Sequence, residues 1–147
     1  MSPLATFLSV SHLVGLALGL GAATVKLVLL LICRTDPAFI PHYLRVAKPI
    51  TRQIVLGMII LSLSGIGWLL IGYEFSALLI VKIILVGGMF VLGPIIDNVV
   101  EPKFHRLAPA ANAVPSPEFR SVQKQHLAFE VAATLLFYAI FALGVSL

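Results

Sequence analysis

Apolar residues fall in four long blocks, at about residues 4–32, 50–71, 77–100 and 122–146, with few polar positions inside them. An α-helix needs roughly twenty apolar residues to cross a hydrocarbon core of ~30 Å. Each block therefore predicts one transmembrane helix. The first exceeds the minimum and is expected to tilt or protrude. Ser2-Pro3 supplies an N-cap and a first-turn proline for it, and Ser116-Pro117-Glu118 gives a similar start signal ahead of the fourth. That last helix is thus expected to begin in water and enter the membrane two to three turns later. Gly72-Tyr73-Glu74-Phe75-Ser76 reads as a tight turn that makes a hairpin of the second and third spans. Residues 33–49, interrupted by Pro37 and Pro41, and the segment from Ala108 to Pro115 read as connections. The expected fold is all-α: an integral membrane four-helix transmembrane bundle, with residues 1–147 as a single domain.

Composition removes the soluble alternative. Sixty per cent of residues are hydrophobic, 11% are charged and the mean hydropathy is +1.08, which leaves too little charge to coat a water-facing surface. A net charge of +4 invites a nucleic-acid reading, but the placement of the charges argues against it. Of the ten Lys and Arg, Lys26 and Lys82 lie in spans. The other eight lie on one side: Arg34, Arg45, Lys48 and Arg52, then Lys103, Arg106, Arg120 and Lys124. The opposite side carries Glu74 and no basic residue. This asymmetry is a positive-inside signal. It predicts a bacterial-type inner membrane protein with both termini on the non-cytoplasmic side, a lipid bilayer as partner, and no nucleic acid. Cys33, the only cysteine, excludes an internal disulfide and a CxxC motif. The first block lacks a charged leader and a small-residue cleavage site, so it is expected to be retained rather than removed as a signal peptide.

Ionisable groups within spans are costly, which makes each a functional candidate. Rise per residue sorts them into two layers. His12 and Lys82 lie at similar depth from the side of the termini, with Trp68 and Tyr138 nearby and Tyr73-Glu74 above. His12 shares a face with Gly15, Gly19 and Lys26, and small residues on such a stripe admit a neighbouring helix or a flat ligand. The second layer holds Lys26, Arg52, Asp97, His126 and Glu130; Asp97 or Glu130 is the expected partner of Lys26 in an intramembrane ion pair. The plain alternatives are a His12 strut between helices, a Lys82 that snorkels to the interface, interfacial anchoring by Trp68 and Tyr138, and a solvated His126. His42 and His105 fall in connections and carry little signal.

Imidazole is the usual ligand of haem iron. His12 as metal ligand, Gly15 and Gly19 behind a flat ring, Trp68 beside it and Lys82 for a propionate compose a candidate haem b site, with Lys82 and Tyr138 as candidate catalytic groups. Copper is less well served, because Met1, Met58, Met89 and Cys33 are scattered along the chain. A small-solute or copper permease, or a non-enzymatic accessory subunit of a homo-oligomer or larger membrane complex, are the alternatives.

Four segments resemble a known group. Ser11-His12-Leu13-Val14-Gly15 through Gly19-Leu20-Gly21 is similar to the opening helix of the HemJ-type and copper-resistance-D-type membrane proteins. Ser64-Gly65-Ile66-Gly67-Trp68-Leu69 resembles their glycine-containing second helix, and Leu78-Leu79-Ile80-Val81-Lys82-Ile83-Ile84-Leu85 their Lys-bearing third. Glu118-Phe119-Arg120 is faintly similar to the polar entry of the last HemJ-type helix. The resemblance implies a haem-binding membrane oxidoreductase that acts on protoporphyrinogen, with the family's His and Lys roles falling on His12 and Lys82. The chain departs from the pattern at Gly19, where the relatives usually have Trp, and in lacking their aromatic, proline- and arginine-containing run after the histidine.

Overall fold

The computed structural model describes residues 2–72 and 74–146. Helix α1 runs over Pro3–Thr35 and α2 over Ile40–Leu70, with a 3₁₀ turn at Pro37–Phe39 between them. The third span is α3, Ala77–Ile95, continued through a π turn at Ile96–Val100 into α4, Glu101–Leu107; α5 is Pro117–Val145. The described residues contain no strand, and four helical stretches are long and apolar enough to cross a membrane. The chain is an all-α four-helix bundle of the integral membrane class. Its outer surface agrees: Leu13, Ile84 and Leu135 are 64%, 66% and 63% exposed, an arrangement that suits lipid and not water.

The helix starts follow from local chemistry. The hydroxyls of Ser2, Ser76 and Ser116 accept from the backbone N–H groups of Ala5, Leu79 and Phe119 at 3.2, 3.1 and 3.1 Å, each satisfying an otherwise orphaned donor. Gly72, at φ +95°, turns the chain between α2 and α3. Tyr73, expected to lie over the upper layer, falls outside the described residues.

Two boundaries differ from the hydropathy blocks. The segment 33–49 is almost wholly helical: Pro37 opens the 3₁₀ turn and Pro41 sits in the first turn of α2, where a missing N–H costs nothing. Pro49 lies within α2 rather than ahead of it. The third span continues past Val100 to Leu107, so Glu101 and His105 are helical residues. These extensions pack into an apolar knot at the basic end, built on Leu30, Ile40, Tyr43, Phe104 and Phe119.

Packing order sets the shape. α1 lies along α2, α5 packs on α1, and α3 packs on α5. The backbones of α2 and α3 are not closely packed, so the short turn joins two helices that do not close into a tight hairpin. A lateral cleft opens between them. α1 and α2 meet at glycines: a Cβ on Gly57 would stand 2.6 Å from Gly19 Cα and 2.7 Å from Gly15 O, nearer than real Cβ atoms come. Gly15 and Gly19, four apart on one stripe, let the two backbones touch.

Candidate functional site

The cleft between α2 and α3 encloses about 440 Å³, within the ~300–1,000 Å³ typical of small-molecule sites. Its walls are Met58, Leu61, Ile66 and Leu69 of α2 and Leu79, Ile83, Val86 and Met89 of α3. Leu16 of α1 and Phe137, Ile140 and Phe141 of α5 close the back. Into this apolar lining project two ionisable side chains, His12 and Lys82.

His12 is fastened on one side. Its Nδ1 lies 2.8 Å from Ser64 Oγ, and that hydroxyl donates to the Ile60 carbonyl at 2.8 Å, with the Leu61 carbonyl at 3.1 Å. With the hydroxyl proton engaged by the helix backbone, Ser64 is left to accept from Nδ1–H. The lone pair then resides on Nε2, which has no hydrogen-bond partner among the described residues. An imidazole oriented through one nitrogen and free at the other is the usual form of a metal ligand. Lys82 is half-buried and lies against Gly144, where an added Cβ would stand 2.9 Å from Nζ. No carboxylate among the described residues lies within ion-pair distance of it.

The other upper-layer residues are not brought to the cleft. Gly15 and Gly19 serve the helix contact, not a ligand: a Cβ on Gly15 would meet Ile60 and Leu61, and one on Gly19 would meet Phe137. Trp68 is half-buried but is not part of the lining. Tyr138 is exposed, its hydroxyl 3.2 Å from Thr24 Oγ1 on the outer surface where α1 and α5 meet, away from the cleft it was expected to serve. Helix packing also gathers what the sequence scatters: Met58 and Met89 share the cleft with His12.

Toward the basic end lies a second site. Lys26, 1% exposed, places Nζ 2.6 Å from Glu101 Oε2, 2.8 Å from Glu130 Oε1 and 2.9 Å from Thr51 Oγ1. The expected Lys26–Glu130 pair is present, whereas Asp97 is peripheral at 4.0 Å. The shortest contact is to Glu101, which the hydropathy reading placed beyond the third span. The signal for it was its four-residue spacing from Asp97, the same spacing that puts His126 and Glu130 on one face. His126 is fully buried rather than solvated, with Nε2 3.3 Å from Glu130 Oε1 and its ring edge-on to Phe104 and Tyr43. Arg52 stays exposed at the rim.

A π turn delivers Glu101. Its N–H bonds to the Ile96 carbonyl, five residues back, and Pro102 next to it has no N–H to offer the Asn98 carbonyl. The ligating atoms of Glu101, His126 and Glu130 all lie within 4.8 Å of one another, a spacing that suits a metal ion. Lys26 Nζ, however, already sits against both carboxylates, a tethered cation in the position a metal would take.

Comparison of the chain with protein-family models, with curated proteins and with solved structures gives no match.

Proposed function

We propose that the chain is a haem b-binding membrane redox protein and that the haem is held in the cleft between α2 and α3. The observation that carries this is the pairing, in one apolar cleft, of an imidazole with no hydrogen-bond partner at Nε2 and a lysine with no carboxylate partner, both among the described residues. Intramembrane cations without partners are costly. An amphiphile with a flat apolar body, a metal and acidic groups satisfies both residues at once. His12 would hold the iron through Nε2, Ser64 orients that ring, and Lys82 would meet a propionate. The bound haem would supply one-electron chemistry. The resemblance to HemJ-type proteins supports the same assignment and adds tetrapyrrole oxidation as the reaction class. The eight basic residues at one end support an inner-membrane orientation with the termini outside.

Haemin titration of the purified chain tests this. His12→Ala is expected to abolish the Soret band while the protein remains folded. Ser64→Ala is expected to weaken haem affinity by about 10- to 100-fold through loss of the ring's anchor. A band that survives His12→Ala unchanged would refute the assignment.

Met58 and Met89, which line the same cleft as His12, favour a second reading, because thioether and imidazole together suit Cu(I). Transfer of cuprous ion from a chromogenic chelator to the wild type, but not to a Met58→Leu/Met89→Leu variant, would select it.

A further inference from the structure

Toward the basic end, the helices that flank the His12 cleft also flank a polar cleft of about 510 Å³. Lys48, Thr51 and Arg52 of α2 form one wall; Asp97 of the π turn, with Glu101 and His105 of α4, forms the other. Lys48 and Arg52, four apart, share a face of α2. The walls thus carry opposite charge, yet they do not close on each other. Among the described residues, no carboxylate lies within ion-pair distance of Lys48 or Arg52. Glu101 is already engaged, with Lys26 Nζ 2.6 Å from Oε2 and His105 Nε2 3.8 Å from Oε1. Asp97 is not: Lys26 Nζ stands 4.0 Å away, and the aspartate side chain is 30% exposed. Thr51 adds a donor. Its hydroxyl accepts from Lys26 at 2.9 Å, and its own proton has no acceptor among the described residues.

We propose that this cleft binds the headgroup of a phosphatidylethanolamine-class phospholipid from the leaflet at the basic end. The phosphate lies against Lys48, Arg52 and Thr51, and the ammonium against Asp97. The site is separate from the His12 cleft and does not depend on haem. A guest that satisfies both walls carries both charges, negative toward α2 and positive toward the π turn. An anionic lipid answers only the first wall, and a metal ion or free amine only the second. A zwitterion leaves the total charge of the cleft unchanged while it gives Lys48, Arg52 and Asp97 each an opposite neighbour. Guanidinium, ammonium and hydroxyl are donors that phosphate oxygens take well. On the other wall a primary ammonium donates hydrogen bonds to a carboxylate, whereas a quaternary choline has none to give. Depth selects a lipid over a soluble zwitterion. Eight of the ten Lys and Arg lie at this end, which puts the cleft at the level of headgroups, where basic pockets between spans bind lipid phosphate. Val55, three residues further into the span than Arg52, lines the cleft and is 43% exposed, so its inner edge opens where acyl chains lie.

The test is native mass spectrometry of the full chain, released from detergent that contains equal amounts of dioleoyl phosphatidylethanolamine, phosphatidylcholine and phosphatidylglycerol. One phosphatidylethanolamine per chain is expected to be retained, several-fold in preference to either other lipid. Lys48→Gln/Arg52→Gln is expected to lower that retention by about 10-fold or more, through loss of two charge-assisted contacts. Asp97→Asn leaves the 2.6 and 2.8 Å contacts of Lys26 in place, so the fold should hold. It is expected to abolish the preference for phosphatidylethanolamine while phosphatidylglycerol is retained as in the wild type. Excess glycerophosphoethanolamine, the same headgroup without acyl chains, is expected to leave the bound lipid in place. Equal retention of the three lipids would overturn the proposal, as would phosphatidylglycerol retained best by the wild type. So would an ethanolamine preference that survives Asp97→Asn, or displacement of the lipid by the soluble headgroup.

Discussion

Replacing Lys26 by methionine is expected to destabilise the folded bundle by about 3–5 kcal/mol, the usual cost of removing one partner from a buried charge cluster. The cost is that of what remains. Glu101 and Glu130 converge on Nζ at 2.6 and 2.8 Å, and without it two carboxylates face each other out of water. Thr51 also loses its 2.9 Å donor. Neutralising a carboxylate in the same chain, as Lys26→Met with Glu130→Gln, is expected to recover part of the loss, because one buried negative charge goes with it. Thermal unfolding in detergent checks this. Equal stability of the single and double variants would show that the carboxylates do not depend on Lys26. The cluster ties α1, α2, the π turn and α5 at one point, so its loss should also loosen the apolar knot below it.

The second large effect is expected at Gly57. A Cβ there would stand 2.6 Å from Gly19 Cα, and neither backbone can yield as a flexible side chain could. Gly57→Ala should force α1 and α2 apart and cost on the order of 1–3 kcal/mol, the usual range for overpacking. Gly57→Leu should prevent the contact altogether. The damage should reach the cleft. His12 lies seven residues before Gly19, and Ser64 seven after Gly57, so the His12–Ser64 bond is the same helix interface two turns along. Gly57→Ala is therefore expected to weaken haem binding without touching the cleft lining. Gly21→Ala, with no atom within 4 Å of the new Cβ, is the control and should be neutral or slightly stabilising. Gly57→Ala as stable as wild type would mean that the helices do not depend on this contact.

The spans could be read from the chain because lipid imposes a one-dimensional rule: a run of apolar residues of sufficient length crosses. What escaped were features that depend on where a helix stops. Pro41 and Pro49 look like breaks, yet a proline in the first turn costs no hydrogen bond, and α2 carries Pro49 inside it. Glu101 seemed to lie past the last apolar residue, whereas the π turn carries it into the bundle as the closest partner of Lys26. His12 and Lys82, placed in one layer by similar depth, both line the cleft. Gly15 and Gly19 were ambiguous between a helix contact and a ligand contact. Only the position of Gly57 on α2 decides, and no property of α1 records that. Tyr138 misses the cleft because a helical side chain leans toward its helix N-terminus, which carries its hydroxyl down to Thr24, twelve residues past His12 on α1. The methionines show the reverse: Met58 and Met89, remote in sequence, meet in the cleft because α2 and α3 flank it.

The absorption spectrum of the purified wild-type chain after haem loading, oxidised and then reduced with dithionite, tests the central claim most directly. The His12 cleft predicts a Soret band that shifts on reduction and persists through removal of free haem. A chain that stays colourless, or loses its colour with the free haem, would contradict it.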